Sequence, residues 1–533
     1  MLTNKKTLLA VSIVSALTLT ACGSDNDDNV VVPPPVVTPP PPPPPVIVVP
    51  EAPEEIAFLA TVTLVNASTG ELISSAVKVD LYEGDTLTNK VTDVDGNAIT
   101  SITTEDGLLN FSVKTGESPN LRAVLTAEGF VPSSATLDLT DTSADFEGSI
   151  SLAPVTGAGV EAAQETAAVS AGQVAVETKV ATSAEAEATA EVVVPAGTTM
   201  QDANGNAVSG TSVTMKVQTA GTSGSATKAA VGDMIPAGLN TATETNVRKP
   251  LSVANIEMVD NNGNKIKKFS SPITVTLEVP ESAGVKTGDK LKVSSYDEAT
   301  AKWTKDEFEA TIGAFNATKK SFAANFKTDH LTLFTTTKEE QKCGTANVIT
   351  MDPGNAAAPG LKISIVGNNG EAIRNATSLS SLGQQATAKG LAANAVGVVT
   401  VQATGLQTHT SPANTNVCGY AVPQLQPAAE TPVSASITVN FQCSNAGAAA
   451  PAGMAGAKVQ ARLGTNVVNF DGNGGVYTSR GNSILASQNY RLTIEPRGEF
   501  KGATTTANLN GVQINGQTIL FTKQCNEGTS AGG

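Results

Sequence analysis

Aromatic residues are scarce in this 533-residue chain: they make up 4%, with one tryptophan and five tyrosines. Sugar-binding surfaces commonly stack a flat ring on a sugar face, so this scarcity argues against an extended sugar platform. Histidine is scarcer still, with only His330 and His409. It is the commonest general base and metal ligand near neutral pH, so a histidine-based centre has almost nothing to draw on. Charged residues are only 16%, and 34 Lys+Arg against 49 Asp+Glu give a net charge of −15. A chain of that sign has no general affinity for nucleic acid or anionic lipid. The sequence also lacks G-x-S-x-G, a Walker A loop, H-E-x-x-H and any C-x-x-C pair. The commonest hydrolase, nucleotide and zinc signatures are therefore missing.

Long Thr, Ser, Ala, Val, Asn and Gly stretches suit antiparallel sheet and turns, and the length allows three or four domains. Lys5 and Lys6 precede an apolar run, Leu8 to Leu19, too short to serve as a lasting membrane span. The run ends in Leu19-Thr20-Ala21-Cys22. That ending resembles the lipobox of bacterial lipoproteins. The resemblance implies a signal peptide over 1–21, palmitate-type acylation at Cys22, and a membrane as partner through the lipid. Gly23 stands where an Asp would retain the protein in the inner membrane, so the outer membrane is expected. Whether the chain faces the cell surface or the periplasm stays open. An acidic and Pro-rich tether follows over 22–55, with an unbroken run from Pro39 to Pro45. Such a run forms a stiff polyproline II spacer, about 3.1 Å per residue.

Beyond the tether, short alternating stretches recur between Asn/Asp-Gly turns, which signals β-sandwiches. The expected fold class is all-β, with serial antiparallel β-sandwich modules of transthyretin-like or immunoglobulin-like type. Their expected limits are 56–154, 191–340, 343–442 and 443–525, with a linker or strand region over 155–190 and a tail over 526–533. In the first, SSAVKVDLY, TEDGLLNFSV, VLTAEGF and GSISLAP resemble the carboxypeptidase-regulatory, transthyretin-like sandwich. The second, with VPAGTT, PITVTLEVP and DHLTLF, resembles sandwiches of the autoproteolysis-inducing type in surface proteins. The fourth, around Ala457 to Arg462 and Tyr490 to Ile494, again looks transthyretin-like.

Apart from Cys22, four cysteines are present, an even number for an exported chain, so two disulfides are expected. Three pairings are possible. Cys343–Cys418 with Cys443–Cys525 is favoured, because each bridge then staples one module. Several fragments mimic penicillin-binding motifs: Ser75 to Lys78, Ser24-Asp25-Asn26, Lys114-Thr115-Gly116 and Lys286-Thr287-Gly288. Their order and context do not fit one groove. Asp329 and His330 are strand neighbours expected on opposite faces, and His409 is expected at the surface. Turns at Asp93/Asp95/Asn97, Asp202/Asn204/Asn206 and Asp260/Asn262/Asn264 space oxygen atoms partly like calcium loops, yet none has a carboxylate at loop position twelve. No catalytic residues, metal or cofactor are therefore expected. The expected role is a non-enzymatic envelope protein for adhesion, assembly or scaffolding, with a protein or polysaccharide partner. A lipid-anchored accessory or enzyme acting on extracellular polymers, or a ligand-binding receptor subunit, is the alternative.

Overall fold

The computed structural model describes residues 46–528 apart from 52, 144, 241–243, 345–348, 352–360, 369, 372, 380–384, 387–390 and 446–449. Cys22, the signal segment, Ser24-Asp25-Asn26 and most of the tether lie outside the described residues. The chain is all-β: the helices among the described residues span three or four residues each, and none is long and apolar enough to cross a membrane.

In the first sandwich, Phe146–Leu152 runs parallel to Ala60–Asn66, which pairs antiparallel with Leu108–Val113. The facing layer runs Ser133–Asp138, Asn120–Ala127, Val77–Glu83. Strict alternation builds the core between them. Val77, Val79 and Leu81 point inward from one layer, and Leu109 and Phe111 from the other, all fully buried.

The second sandwich is one antiparallel ribbon curled around a single core, with bulges at Pro250/Ser252, Lys268/Ile273, Val293/Ser295 and Ile312/Phe315. Bulges let long strands bend from one layer into the other. Segment 155–190 supplies Val160–Ser170, Gln173–Val174 and Thr178–Ala181 to this ribbon, so the sandwich starts well before residue 191. Ala and Glu are prominent in the first of these strands, and its pairing with Ser212–Ala220 overrides their helix preference.

The third sandwich sets Leu361–Gly367, Arg374–Leu379 and Val396–Gln402 against a small sheet in which Ile349–Met351 runs parallel to Tyr420–Val422. Its buried described core is aliphatic, with Cys343 among its members and no buried aromatic ring. The fourth starts before the expected limit of 443: its central strand, Ser436–Cys443, expected to close the third, lies parallel to Gln517–Lys523, and Asn466–Asn473 passes from one layer to the other. Tyr477, Phe470, Tyr490 and Phe521 fill it. A parallel pairing of an early strand with the closing strand thus recurs in the first, third and fourth sandwiches.

The sandwiches follow one another in sequence but cluster in space. The first touches all three others. Its closing strand pairs with the third through Gly148 opposite Thr377, making one continuous sheet. It shares an apolar core with the second, where Ala67, Val131 and Ala153 meet Val253, Tyr296 and Leu333. Disulfides join Cys343 to Cys418 and Cys443 to Cys525, closing 75 and 82 residues within the third and fourth sandwiches. In the chain-entropy account, loops of that size add roughly 4–5 kcal/mol each.

Candidate functional site

The densest polar constellation lies where the first and fourth sandwiches meet. Two strands there are buried on both faces. Ala60–Asn66 buries Thr61 and Thr63 as well as Val62 and Leu64, and Lys458–Leu463 buries Lys458 and Gln460 as well as Val459 and Ala461. An antiparallel strand in a lone sandwich has one wet face, so double burial marks a covered outer surface.

Gln460 is the hub of the contact. Its Nε2 donates to Asn110 Oδ1 at 2.8 Å and to Asn469 Oδ1 at 2.9 Å, and it lies 3.3 Å from Thr61 Oγ1. Thr61 also donates to Asn110 at 3.1 Å. Beside this network, Arg480 reaches Asp145 at 2.5 Å and Asp471 at 2.7 Å. Asp145 also accepts the Leu59 backbone N–H at 2.7 Å. Burial pushes the Asp145 carboxyl up from the ordinary range, and the Arg480 charge opposes this without overcoming it. Burial works against the charge on Arg480 too, but Asp471 and Asp145 outweigh it and hold the guanidinium more basic than usual.

Between these groups is a recess of about 170 Å³, lined by Glu55, Leu59, Asp145, Lys458, Tyr477 and Arg480 among others. It is smaller than ordinary small-molecule sites, about 300–1,000 Å³. Burial raises the Tyr477 hydroxyl to about 12, and that hydroxyl donates to Met454 O at 2.8 Å while accepting from Ala457 N–H. Around Gln460, Arg480 and Tyr477 the polar atoms satisfy one another, while Asp95 Oδ1 and Arg497 Nε, 3.9 Å apart at the same seam, are buried without a hydrogen bond; the arrangement suits holding two bodies in register.

The end of the expected tether is part of the same seam. Arg497 donates to Glu54 O at 2.8 Å, and Glu55 accepts from Gly474 N–H at 3.2 Å. Gly456, at φ +69°, lies against the Glu54 carbonyl, and a side chain there would collide with it. The free spacer expected up to residue 55 is thus already docked at 54 and 55, because the fourth sandwich supplies donors to its backbone and carboxylate.

Both histidines have structural partners. Asp329 Oδ1 is 3.2 Å from His330 Nδ1, contrary to the expectation of opposite faces. The contact lies at the strand's end, beside the register slip between Lys268/His330 and Ile273/Thr328. Glu307 lies 3.7 Å from His330 Nε2, and the Ser295 hydroxyl donates to Glu307. Ser295 addresses the carboxylate and not the imidazole, so Ser295, Glu307 and His330 do not form a serine-nucleophile relay. His409 is half-buried, with Nε2 2.9 Å from the Tyr420 hydroxyl, so it is not the fully exposed residue expected. Trp303 donates to Pro236 O at 3.1 Å and tilts against Tyr296.

The three Asp/Asn-Gly turns share one geometry. In each, the first Asp carboxylate accepts backbone N–H groups two and four residues on, as Asp202 does from Asn204 at 2.8 Å and Asn206 at 2.9 Å. The first carboxylate of each thus serves the turn itself. Among the described residues no group of three His, Cys, Asp or Glu could hold a metal ion. The two K-T-G turns sit in different sandwiches, and Ser75 is an exposed bend before Val77–Glu83.

Alternation places Gln460 and Asn110 on solvent faces, so their role at the seam was hidden. The available signal was Ala57 to Val65 (AFLATVTLV), a run too apolar for a strand with one wet face.

No family model matches the chain, and no curated protein matches it. Among solved structures it is similar to the Bacillus anthracis TIE protein, with 10% identity over 88% of this chain and 74% of that one, at a TM-score of 0.13. It is also similar to the N-terminal eight Ig domains of Down Syndrome Cell Adhesion Molecule isoform 1.30.30, with 8% identity over 84% and 67% of the two chains, at a TM-score of 0.10. Neither superposes globally at such scores.

Proposed function

We propose that this chain is a lipid-anchored, non-enzymatic protein of the bacterial outer membrane that presents a cluster of β-sandwiches to a protein or polysaccharide partner of the envelope. The observation that carries this reading is the Leu19-Thr20-Ala21-Cys22 ending of a short apolar run, followed at once by an acidic and proline-rich stretch. Acylation at Cys22 supplies the anchor. The paired cysteines support a place outside the reducing cytoplasm. Recurrent parallel closing pairs support reading the first and fourth sandwiches as transthyretin-like.

Non-catalytic scaffolding is favoured by how the ionisable side chains are used. Arg480, Asp145, Lys458, Arg497 and Lys501 join sandwiches or neighbouring strands. Cys22→Ser is expected to move the protein from the membrane to the soluble envelope fraction and to remove the acyl mass from its N-terminal peptide. A membrane-bound mutant together with an unacylated wild type contradicts the anchor. Protease shaving of intact cells distinguishes the two faces of the membrane.

A further inference from the structure

The closing strands of the first and fourth sandwiches occupy the same topological place, yet only one is covered. Phe146–Leu152 lies parallel to Ala60–Asn66 on one edge and takes Arg374–Leu379 antiparallel on the other. Gln517–Lys523 lies parallel to Ser436–Cys443, and among the described residues no strand pairs with its other edge.

The direction of its backbone groups follows from one bond. The Lys523 carbonyl accepts from Ser444 N–H at 2.9 Å, so Lys523 addresses the neighbouring strand. Residues two apart on a strand address the same edge. Phe521, Ile519 and Gln517 therefore face inward with Lys523, and the N–H and C=O of Thr518, Leu520 and Thr522 face out.

This edge carries none of the usual protection. It has no proline and no bulge, and its only charge is Lys523 at the end, already paired with Glu499 at 2.7 Å. An uncovered, uncharged edge rich in β-forming residues is a template for another strand. Exposed large apolar side chains also collect in this sandwich: Val433, Val476, Val512 and Leu520, the last 47% exposed. Val476 and Leu520 share the outer face, opposite Thr438 and Asn440 of the same central strand.

We infer that Gln517–Lys523 is a dimerisation edge whose occupant is the same strand of a second copy of this chain, running antiparallel about a two-fold axis at Leu520. The sequence is self-complementary in that register. Leu520 meets Leu520, Thr518 meets Thr522, Ile519 meets Phe521, and Lys523 meets the neutral Gln517. No like charges face each other, and the outward groups of three residues per strand form about six hydrogen bonds. A two-fold contact of one edge with itself closes at a dimer and leaves no edge to propagate.

The test is sedimentation equilibrium on the full chain, lipidated in detergent and as Cys22→Ser in buffer. Both are dimers at micromolar concentration. Leu520→Lys sets two lysines opposite each other and weakens the dimer at least about tenfold. Thr518→Pro removes one outward donor with a similar effect. Both variants keep the wild-type circular dichroism and, at a dilution where the wild type is monomeric, its melting temperature, because an outward N–H at an edge takes no part in the fold of one chain. Leu520→Cys, treated with a mild thiol oxidant, cross-links into a reducible dimer, since facing residues of a hydrogen-bonded pair have Cα atoms about 5.5 Å apart, within disulfide reach. Val512→Cys does not cross-link. A chain that stays monomeric overturns the inference, and so does a dimer that survives both edge variants or cross-links through position 512 instead. A monomer that binds another protein's strand at this edge overturns it as well.

Discussion

Two of the first sandwich's three contacts are of opposite chemical character. Toward the second sandwich it buries Ala67, Val131 and Ala153 among Val253, Tyr296 and Leu333, a mainly apolar seam edged by hydrogen bonds from Arg122 to the Ala301 carbonyl and from Ser68 to the Ala158 carbonyl. Toward the fourth it presents Thr61, Asn110 and Asp145 to Gln460, Asn469 and Arg480. An apolar seam has no partners to mismatch and gains from each buried area, about 25 cal/mol per Å². A polar seam yields little net energy per hydrogen bond, yet it penalises any register that leaves a buried group unpaired. The first and second sandwiches therefore behave as one folding block. The fourth is held in a defined register, and its own stability comes from its core and its disulfide.

Breaking the apolar seam has the largest expected effect. Val131 is 1% exposed, so Val131→Asp buries a charge with no partner. It should cost about 3–5 kcal/mol and lower the melting of both the first and second sandwiches, read by calorimetry. If only the first sandwich is affected, the shared core is not a unit. The polar seam should yield more locally. Gln460→Leu leaves Asn110 and Asn469 without their central donor and should cost about 1–3 kcal/mol. Protease cleavage at Pro53–Glu55 should become faster while the circular dichroism of the fourth sandwich stays unchanged. A collapse of that sandwich would show that Gln460 serves its interior instead.

The smallest effect is in pH. Asp145 titrates above the ordinary carboxylate range because burial disfavours its charge. A carboxyl whose folded pKa is raised contributes stability that is fully present below its unfolded pKa and is lost as pH rises through the folded value. The stability of the wild type relative to Asp145→Asn should therefore fall as pH rises from about 4 toward neutral. A difference that grows over that window would mean that the ion pair with Arg480 outweighs burial.

Much of the fold was legible because its strands alternate. Val77–Glu83 and Leu108–Val113 bury every second residue, and the Asp/Asn-Gly turns between strands form hairpins by local side-chain and backbone bonds. Val160–Ser170 was not legible as part of the second sandwich. Only its ends bury apolar side chains, and its middle carries Ala, Gln, Glu and Thr with no period. The seam was hidden for a different reason. Gln460 alternates like a solvent-facing residue, and it is buried only because a second sandwich lies over it. Single-strand periodicity reports burial by the strand's own sandwich and is blind to burial by another.

The contrast between a shared apolar block and separately stapled distal sandwiches meets its most direct test in hydrogen exchange of the full chain with and without reductant. Cysteines join Cys343–Cys418 and Cys443–Cys525, and no described residue before Cys343 is a cysteine. Reduction should therefore lower protection in Val396–Gln402 and Ser436–Cys443 while Ala60–Asn66 and Ser212–Ala220 keep theirs. An equal loss of protection across all four strands would contradict the account, because the whole cluster would then unfold as one body.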